Sequence, residues 1–226
     1  MMTGRWQLAH GRHLDLGGKA MVVGILNITP DSFSDGGLFD VPEKAVAQAR
    51  RMVEEGASVI DIGGESTRPG ASAVSAKEEQ ARILPVIEAL ATSGETLISV
   101  DTYREDTAKL AVQAGAHIVN DVWGLQREPG IARVAAQTGA GLVIMHTGRD
   151  RQKLPDVIAD QLFFLRKSLE IARRSGVADD HLAGTAATSV ILRLKGAYLF
   201  RVHDVAINVD ALAIADAMLA REIGES

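Results

Sequence analysis

A buried-looking run that ends in a carboxamide is the first place in this sequence where chemistry could be done. Met21-Val22-Val23-Gly24-Ile25-Leu26 turns polar at Asn27, and Thr29, Asp31 and Ser32 follow within five residues. The pattern recurs. Val59-Ile60-Asp61-Ile62 leads to Glu65-Ser66-Thr67-Arg68, Leu97 to Val100 leads to Asp101-Thr102, Ile118-Val119 to Asn120-Asp121, and Gly141 to Met145 leads to His146. Any one of these is compatible with an ordinary polar turn or a helix cap. Amides, carboxylates and an imidazole at the ends of five apolar runs instead suggest one shared rim that presents acceptors and donors to a polar ligand.

The elements that must hold such a rim are legible between the runs. Asp40 and Glu43 resemble a capping box, after which Val41, Ala45, Val46, Ala49, Met52 and Val53 keep a helical stripe that Gly56 stops. Ser75 with Glu78 caps a second helix, whose Pro85 predicts a kink; Thr102 with Glu105 caps a third, and Pro129 suits the first turn of a fourth. Strand, rim loop and amphipathic helix therefore alternate five times, which requires a parallel sheet. An open doubly wound sheet gathers its ligand groups at one switch point and carries a G-x-G-x-x-G loop, which the first strand here lacks. A barrel collects them from every strand end, so the expectation is a TIM-type (β/α) barrel. It forms a single domain over residues 1–226, with residues 1–20 as a short hairpin or cap in which Trp6-Gln7-Leu8 and His13 to Leu16 flank His10-Gly11-Arg12.

Composition narrows the function classes. The chain has 226 residues, 46% of them hydrophobic, and no cysteine, which removes disulfides, thiolate metal sites and a catalytic thiol. A net charge of -5 argues against non-specific nucleic-acid binding, though a local basic pocket for an anionic substrate stays compatible with it. No apolar run approaches the roughly 18 residues that a membrane helix needs, and residues 1–18 do not read as a signal peptide. The expectation is a soluble cytoplasmic protein with no membrane or nucleic-acid partner.

Two of the rim segments are long enough to carry a resemblance. Asn27-Ile28-Thr29-Pro30-Asp31-Ser32-Phe33-Ser34-Asp35-Gly36-Gly37 and Asp61-Ile62-Gly63-Gly64-Glu65-Ser66-Thr67-Arg68-Pro69-Gly70 resemble the two signatures of the dihydropteroate synthase family. Ser99 to Thr102, Ile118 to Asp121, Ile144 to His146, Gly184 to Thr188 and Arg201 to Val205 fall in that family's order. The resemblance implies a folate-biosynthetic transferase that condenses 4-aminobenzoate with (7,8-dihydropterin-6-yl)methyl diphosphate, with Mg²⁺ as cofactor, as a homodimer. It places Asp101, Asn120 and Met145 at the pterin and Asn27, Thr67, Arg201 and His203 at the diphosphate, with Asn27 linked to the metal. Phe33, Ser66, Arg68 and Pro69 fall on the loops that shape the aminobenzoate pocket. Each position also has a plainer reading: Asp101 as a cap, Asn120 bonding loop backbone, Met145 as core, Arg201 as a solvated charge, His203 as a cap of the last helix.

The sequence then departs from the family. After His181 the pattern jumps from the entry of a sixth strand to Gly184-Thr185-Ala186-Ala187-Thr188, and the family's Asp-Pro-Gly and Ser-Arg-Lys motifs are absent. With no strand expected between His146 and Tyr198, the barrel is incomplete, with about six core strands instead of eight. Two absent strands leave about 10 Å of unpaired edge, which either the fifth strand closes by meeting the last or a second chain covers. No catalytic residue is assigned, because the family's lysine and aspartate belong to the absent segment. Impaired activity is therefore expected, and a catalytically inactive remnant that binds pterin or pairs with another chain is the rival reading. A pterin-binding methyltransferase domain is disfavoured by Ser66-Thr67-Arg68-Pro69. A metal hydrolase built on His146, His203, Asp61 and Asp101 is disfavoured by the lack of H-x-H or H-E-x-x-H.

Overall fold

The computed structural model describes residues 4–29, 41–65, 73–94, 96–177, 182–184 and 197–224. An antiparallel hairpin comes first: β1 (Gly4–Gln7) pairs with β2 (His13–Leu16) around a single 3-10 turn. Then follow β3 (Met21–Asn27), α1 (Val41–Glu54), β4 (Ala57–Gly63), α2 (Ala76–Ser93), β5 (Leu97–Asp101), α3 (Glu105–Gln113), β6 (Ile118–Asp121), α4 (Gly130–Thr138), β7 (Gly141–Ile144), α5 (Val157–Arg174), β8 (Leu182–Gly184), β9 (Leu199–Val202) and α6 (Val205–Gly224). Seven of these strands form one parallel sheet in the order β8-β7-β6-β5-β4-β3-β9.

The sheet is curled into an incomplete barrel. Laid flat, β7 and β9 would stand five strand spacings apart, about 24 Å. Instead Val143 of β7 and Leu199 of β9 pack in one cluster with Trp6 and the inward residues Val23, Val59, Leu97 and Ile118. Trp6, Leu8 and Leu14 of the hairpin seal the lower end of that interior. Gly141 is what allows them in: a Cβ there would lie 2.5 Å from Leu8 and 2.7 Å from the Trp6 ring. Outside, the helices lay small and aliphatic stripes on the sheet, such as Ala45, Ala49 and Met52 of α1 and Ile83, Val86, Ile87 and Leu90 of α2. Strands buried on both faces explain the unbroken apolar runs.

Several expectations are corrected. A three-residue strand, β8, does follow α5 and pairs with β7, so six strands of four to seven residues are joined by a short seventh. The seam therefore lies between β8 and β9, which no ladder joins among the described residues, and β7 does not close onto β9. The cap of α2 is as expected, Ser75 Oγ accepting from Glu78 N at 3.2 Å, and Pro85 lies inside that helix. Thr102 is not the cap of α3: its Oγ1 accepts from Arg104 N, while the amide of Glu105 is taken by Glu128 from the next rim loop at 2.7 Å. Asp40 and the second helical stripe before Tyr198 lie outside the described residues.

Candidate functional site

Register alone brings three of the candidate residues to one level. Asn27 of β3 is the cross-strand partner of Gly63, Gly63 of Asp101, and Asp101 of Asn120, so the row crosses four neighbouring strands. Gly63 contributes no side chain to it. A Cβ there would be 3.4 Å from Asn27 Oδ1 and 3.6 Å from Asp101 Cβ, so Asn27 and Asp101 face each other across bare backbone.

Asp61 stands two residues before Gly63, on the same inward face because side chains alternate along a strand. It is 1% exposed, and its Oδ2 accepts from Arg201 Nε at 2.5 Å and from Asn120 Nδ2 at 3.3 Å. Arg201 reaches in from β9 and also donates through Nη2 to Asp101 Oδ2. One guanidinium thus spans two carboxylates, and a carboxamide bonds one of them. Between these groups and the Trp6 plug lies a mostly apolar space of 20 Å³, lined also by Val23, Val59, Ile118, Val143 and Leu199, with room for about one water; Asp101 does not line it. Asp61 Oδ1, Asn120 Oδ1 and Trp6 Nε1 are buried there without a hydrogen-bond partner. Buried polar atoms are almost always satisfied; here the two oxygens lack a donor and the Trp6 indole N–H lacks an acceptor.

Burial, with the repulsion of Asp61 added, pushes the Asp101 carboxyl up to about 7 against the opposing pull of Arg201. Arg201 is held charged, because the two carboxylates outweigh its own burial. Asp121 points to the other face of β6: its carboxylate accepts from Trp123 N at 2.8 Å and Leu125 N at 2.7 Å and shapes the turn. Burial lifts it to about 6 in spite of those bonds.

The remaining candidates are distributed differently. Met145 follows β7, half-buried, its amide bonded to the Asp121 carbonyl, and it does not line the 20 Å³ cavity. His203 is exposed one residue beyond β9, and Asp204 takes the capping role by accepting from Ile207 N at 3.1 Å. His146 bonds Asp160 at 3.1 Å in a rim network with Arg151, away from Asp101. Phe33, Ser66, Thr67, Arg68 and Pro69 lie outside the described residues. Among the described residues no group of three or more His, Asp or Glu side chains could hold a metal ion.

Sequence reasoning gave Asp61 no place in the binding floor. Its signal was a lone carboxylate inside Val59-Ile60-Asp61-Ile62, where a charge is costly unless paired. Glu65, too, has a role that spacing did not expose: its carboxylate pairs with Arg104 at 2.6 Å and accepts from Tyr103, while Arg104 also bonds Glu79 at 2.8 Å. That network ties the β4 and β5 rim loops to α2.

An incomplete (β/α) barrel with an acceptor-rich floor at its carboxyl rim is the class defined so far. The chain belongs to the pterin-binding enzyme family, whose model matches residues 23–182. It is 48% identical over 164 residues to the dihydropteroate synthase of Bacillus subtilis, covering 73% of this chain and 57% of the length of that enzyme. To the dihydropteroate synthase of Escherichia coli it is 34% identical over 272 aligned positions, covering 94% of this chain and 96% of the relative. The solved structure of Xanthomonas albilineans dihydropteroate synthase with 4-aminobenzoic acid superposes with a TM-score of 0.86 at 34% identity, over 96% of this chain and 99% of that one. Since 94% of 226 residues is about 212, the 272-position alignment leaves about 60 positions filled only in the E. coli enzyme. The family match ends at residue 182, where β8 begins.

Proposed function

We propose that this chain binds a pterin at the floor built by Asp61, Asp101 and Asn120, with Met145 as an apolar wall. On that reading it is a dihydropteroate synthase of reduced activity, a single cytoplasmic barrel domain over residues 1–226. The observation that carries the proposal is the row of Asn27, Asp101 and Asn120, with the unpaired oxygens of Asn120 and of the neighbouring Asp61. A pterin presents a 2-amino group and ring N–H donors along one edge, which is what two carboxylates and an amide oxygen accept. Sites built to bond such donors reject ligands that lack them by about 10⁴-fold.

In the reaction the amine nitrogen of 4-aminobenzoate forms a bond to the pterin methylene carbon. The carbon–oxygen bond to diphosphate breaks with its electron pair, and the amine releases a proton. Asn27, Thr67, Arg201 and His203 are assigned to the diphosphate, and Phe33, Ser66, Arg68 and Pro69 to the aminobenzoate loops. Asn27 offers one neutral oxygen at the rim, which suits a Mg²⁺ held chiefly by phosphate oxygens. Bound there, the ion would supply charge neutralisation for the leaving group. The about 60 residues filled only in the longer relative bear on rate, since removal of one transition-state donor can cost roughly 10²–10³.

The second reading, a pterin-binding remnant without turnover that pairs with another copy, is favoured by the seam between β8 and β9, which no ladder joins among the described residues. Incubating the purified chain with both substrates and Mg²⁺ separates the two. Slow dihydropteroate formation is expected; pterin binding without product selects the remnant, and no pterin binding rejects both.

A further inference from the structure

We infer that Arg201 stands in for the ligand's own donor edge, and that a pterin enters only by displacing its guanidinium from Asp101. The inference rests on the pterin reading above and adds a built-in gate to it.

Three observations converge. Arg201 Nε is bonded to Asp61 Oδ2 and its Nη2 to Asp101 Oδ2, so a ligand that places its own donors on both oxygens of Asp101 must first take Oδ2 from the guanidinium. The chemistry of the two occupants matches: a guanidinium and a 2-amino-4-oxopyrimidine edge are both planar arrays of parallel N–H donors suited to a carboxylate. The closed arrangement is under-bonded as well, for Asp61 Oδ1 and Asn120 Oδ1 gain nothing from Arg201.

Arg201 rises from a four-residue strand paired with β3, and among the described residues no ladder joins that strand's other edge. Its side chain keeps 19% exposure, against 1% for Asp61 and 11% for Asp101. The Nε bond to Asp61 can persist while Nη2 releases Asp101, so opening costs one contact of two. If the open arrangement is populated at about 1–10%, the apparent pterin affinity of the native chain is about 10- to 100-fold weaker than that of the opened site.

The test is a titration with 6-hydroxymethylpterin, which lacks the diphosphate that Arg201 would otherwise contact, read by quenching of Trp6 and Trp123. Arg201→Gln is expected to bind it about tenfold or more tightly than the native chain, although a cation has been removed. Guanidinium chloride at millimolar concentration is then expected to compete with the pterin on the variant and not on the native chain. Equal or weaker binding by a folded Gln variant overturns the gate. Should that variant not fold, arginine-side-chain NMR of the native chain decides, with Arg201→Lys supplying the assignment. Arg201 Nε–H and Nη–H signals that shift on pterin addition support displacement, and unchanged signals overturn it. Failure of every protein to bind the pterin rejects the functional reading instead.

Discussion

Two arginine–aspartate sites, one on the barrel floor and one on the rim loop after β7, differ in how fully their carboxylates are bonded. Asp160 is 4% exposed and accepts from Arg151 Nη1 at 2.8 Å, Arg151 Nη2 at 2.5 Å and Leu154 N at 2.8 Å, with His146 Nε2 3.1 Å from its Oδ2 and 2.8 Å from Arg151 Nη2. Phe164 packs beneath both side chains, with its ring centroid 4.8 Å from the Arg151 guanidinium and 5.1 Å from the His146 ring. Both carboxylate oxygens are bonded, and the arginine and backbone bonds hold the Asp160 carboxyl well below the ordinary carboxylate range. On the floor, one guanidinium serves two carboxylates, two acceptor oxygens have nothing, and Asp101 is pushed the opposite way. A saturated network is structure; an under-supplied one is held for a ligand.

The largest effect that would sharpen this contrast comes from supplying what the floor lacks. Inserting after His181 the about 60 residues that the E. coli relative carries is expected to raise dihydropteroate turnover by roughly 10²–10³, measured by product formation at saturating substrates. No gain would mean that the floor is not limited by missing donors. Next, Asp101→Ala or Asn120→Ala is expected to weaken pterin binding by about 10- to 100-fold by isothermal titration, since each strands a ligand donor. Asp160→Ala should leave that affinity within about twofold. A reversal of these two results breaks the comparison outright.

Trp6→Ala opens the lower end of the barrel and is expected to cost about 3–5 kcal/mol in chemical denaturation. The smallest effects are the most diagnostic, because their signs oppose. Asp101 holds its proton more tightly folded, at about 7, than unfolded, near 3.8, so its share of stability falls as pH rises between those values. Asp160 is depressed, so its share is present above 3.8 and lost as pH falls below it. Thermal midpoints against pH for Asp101→Asn and Asp160→Asn should remove those two slopes separately. Pterin affinity, if Asp101 must be ionised to accept, tightens as pH rises through about 7 and loses that dependence in Asp101→Asn.

The sequence was most readable where burial and period agree. β5 and β6 run over the expected residues and the Ser75 cap holds, because apolar runs and local capping are set by neighbours in the chain. β8 escaped notice because three residues, Leu182-Ala183-Gly184, have no period to detect; only the free edge of β7 makes them a strand. Thr102 and Glu105 satisfied a capping pattern that Glu128 pre-empted from another loop. The partnership of Asp61 with Arg201 spans 140 residues, and no spacing rule reaches that far. Asp101 and Asn120 were found because strand ends are where a parallel barrel exposes its interior.

The hairpin that plugs the barrel has a consequence in time. Its residues are synthesised well before their partners: His10 bonds the carbonyl of Val112, Ala9 bonds that of His117, and Trp6 packs against Val143. At about 5–20 residues per second, an apolar flap waits on the order of 10 s for its socket to be synthesised. During that interval the nascent chain carries Trp6, Leu8 and Leu14 without the strands that cover them, which makes the hairpin over Gly4–Leu16 a natural target for a holding chaperone.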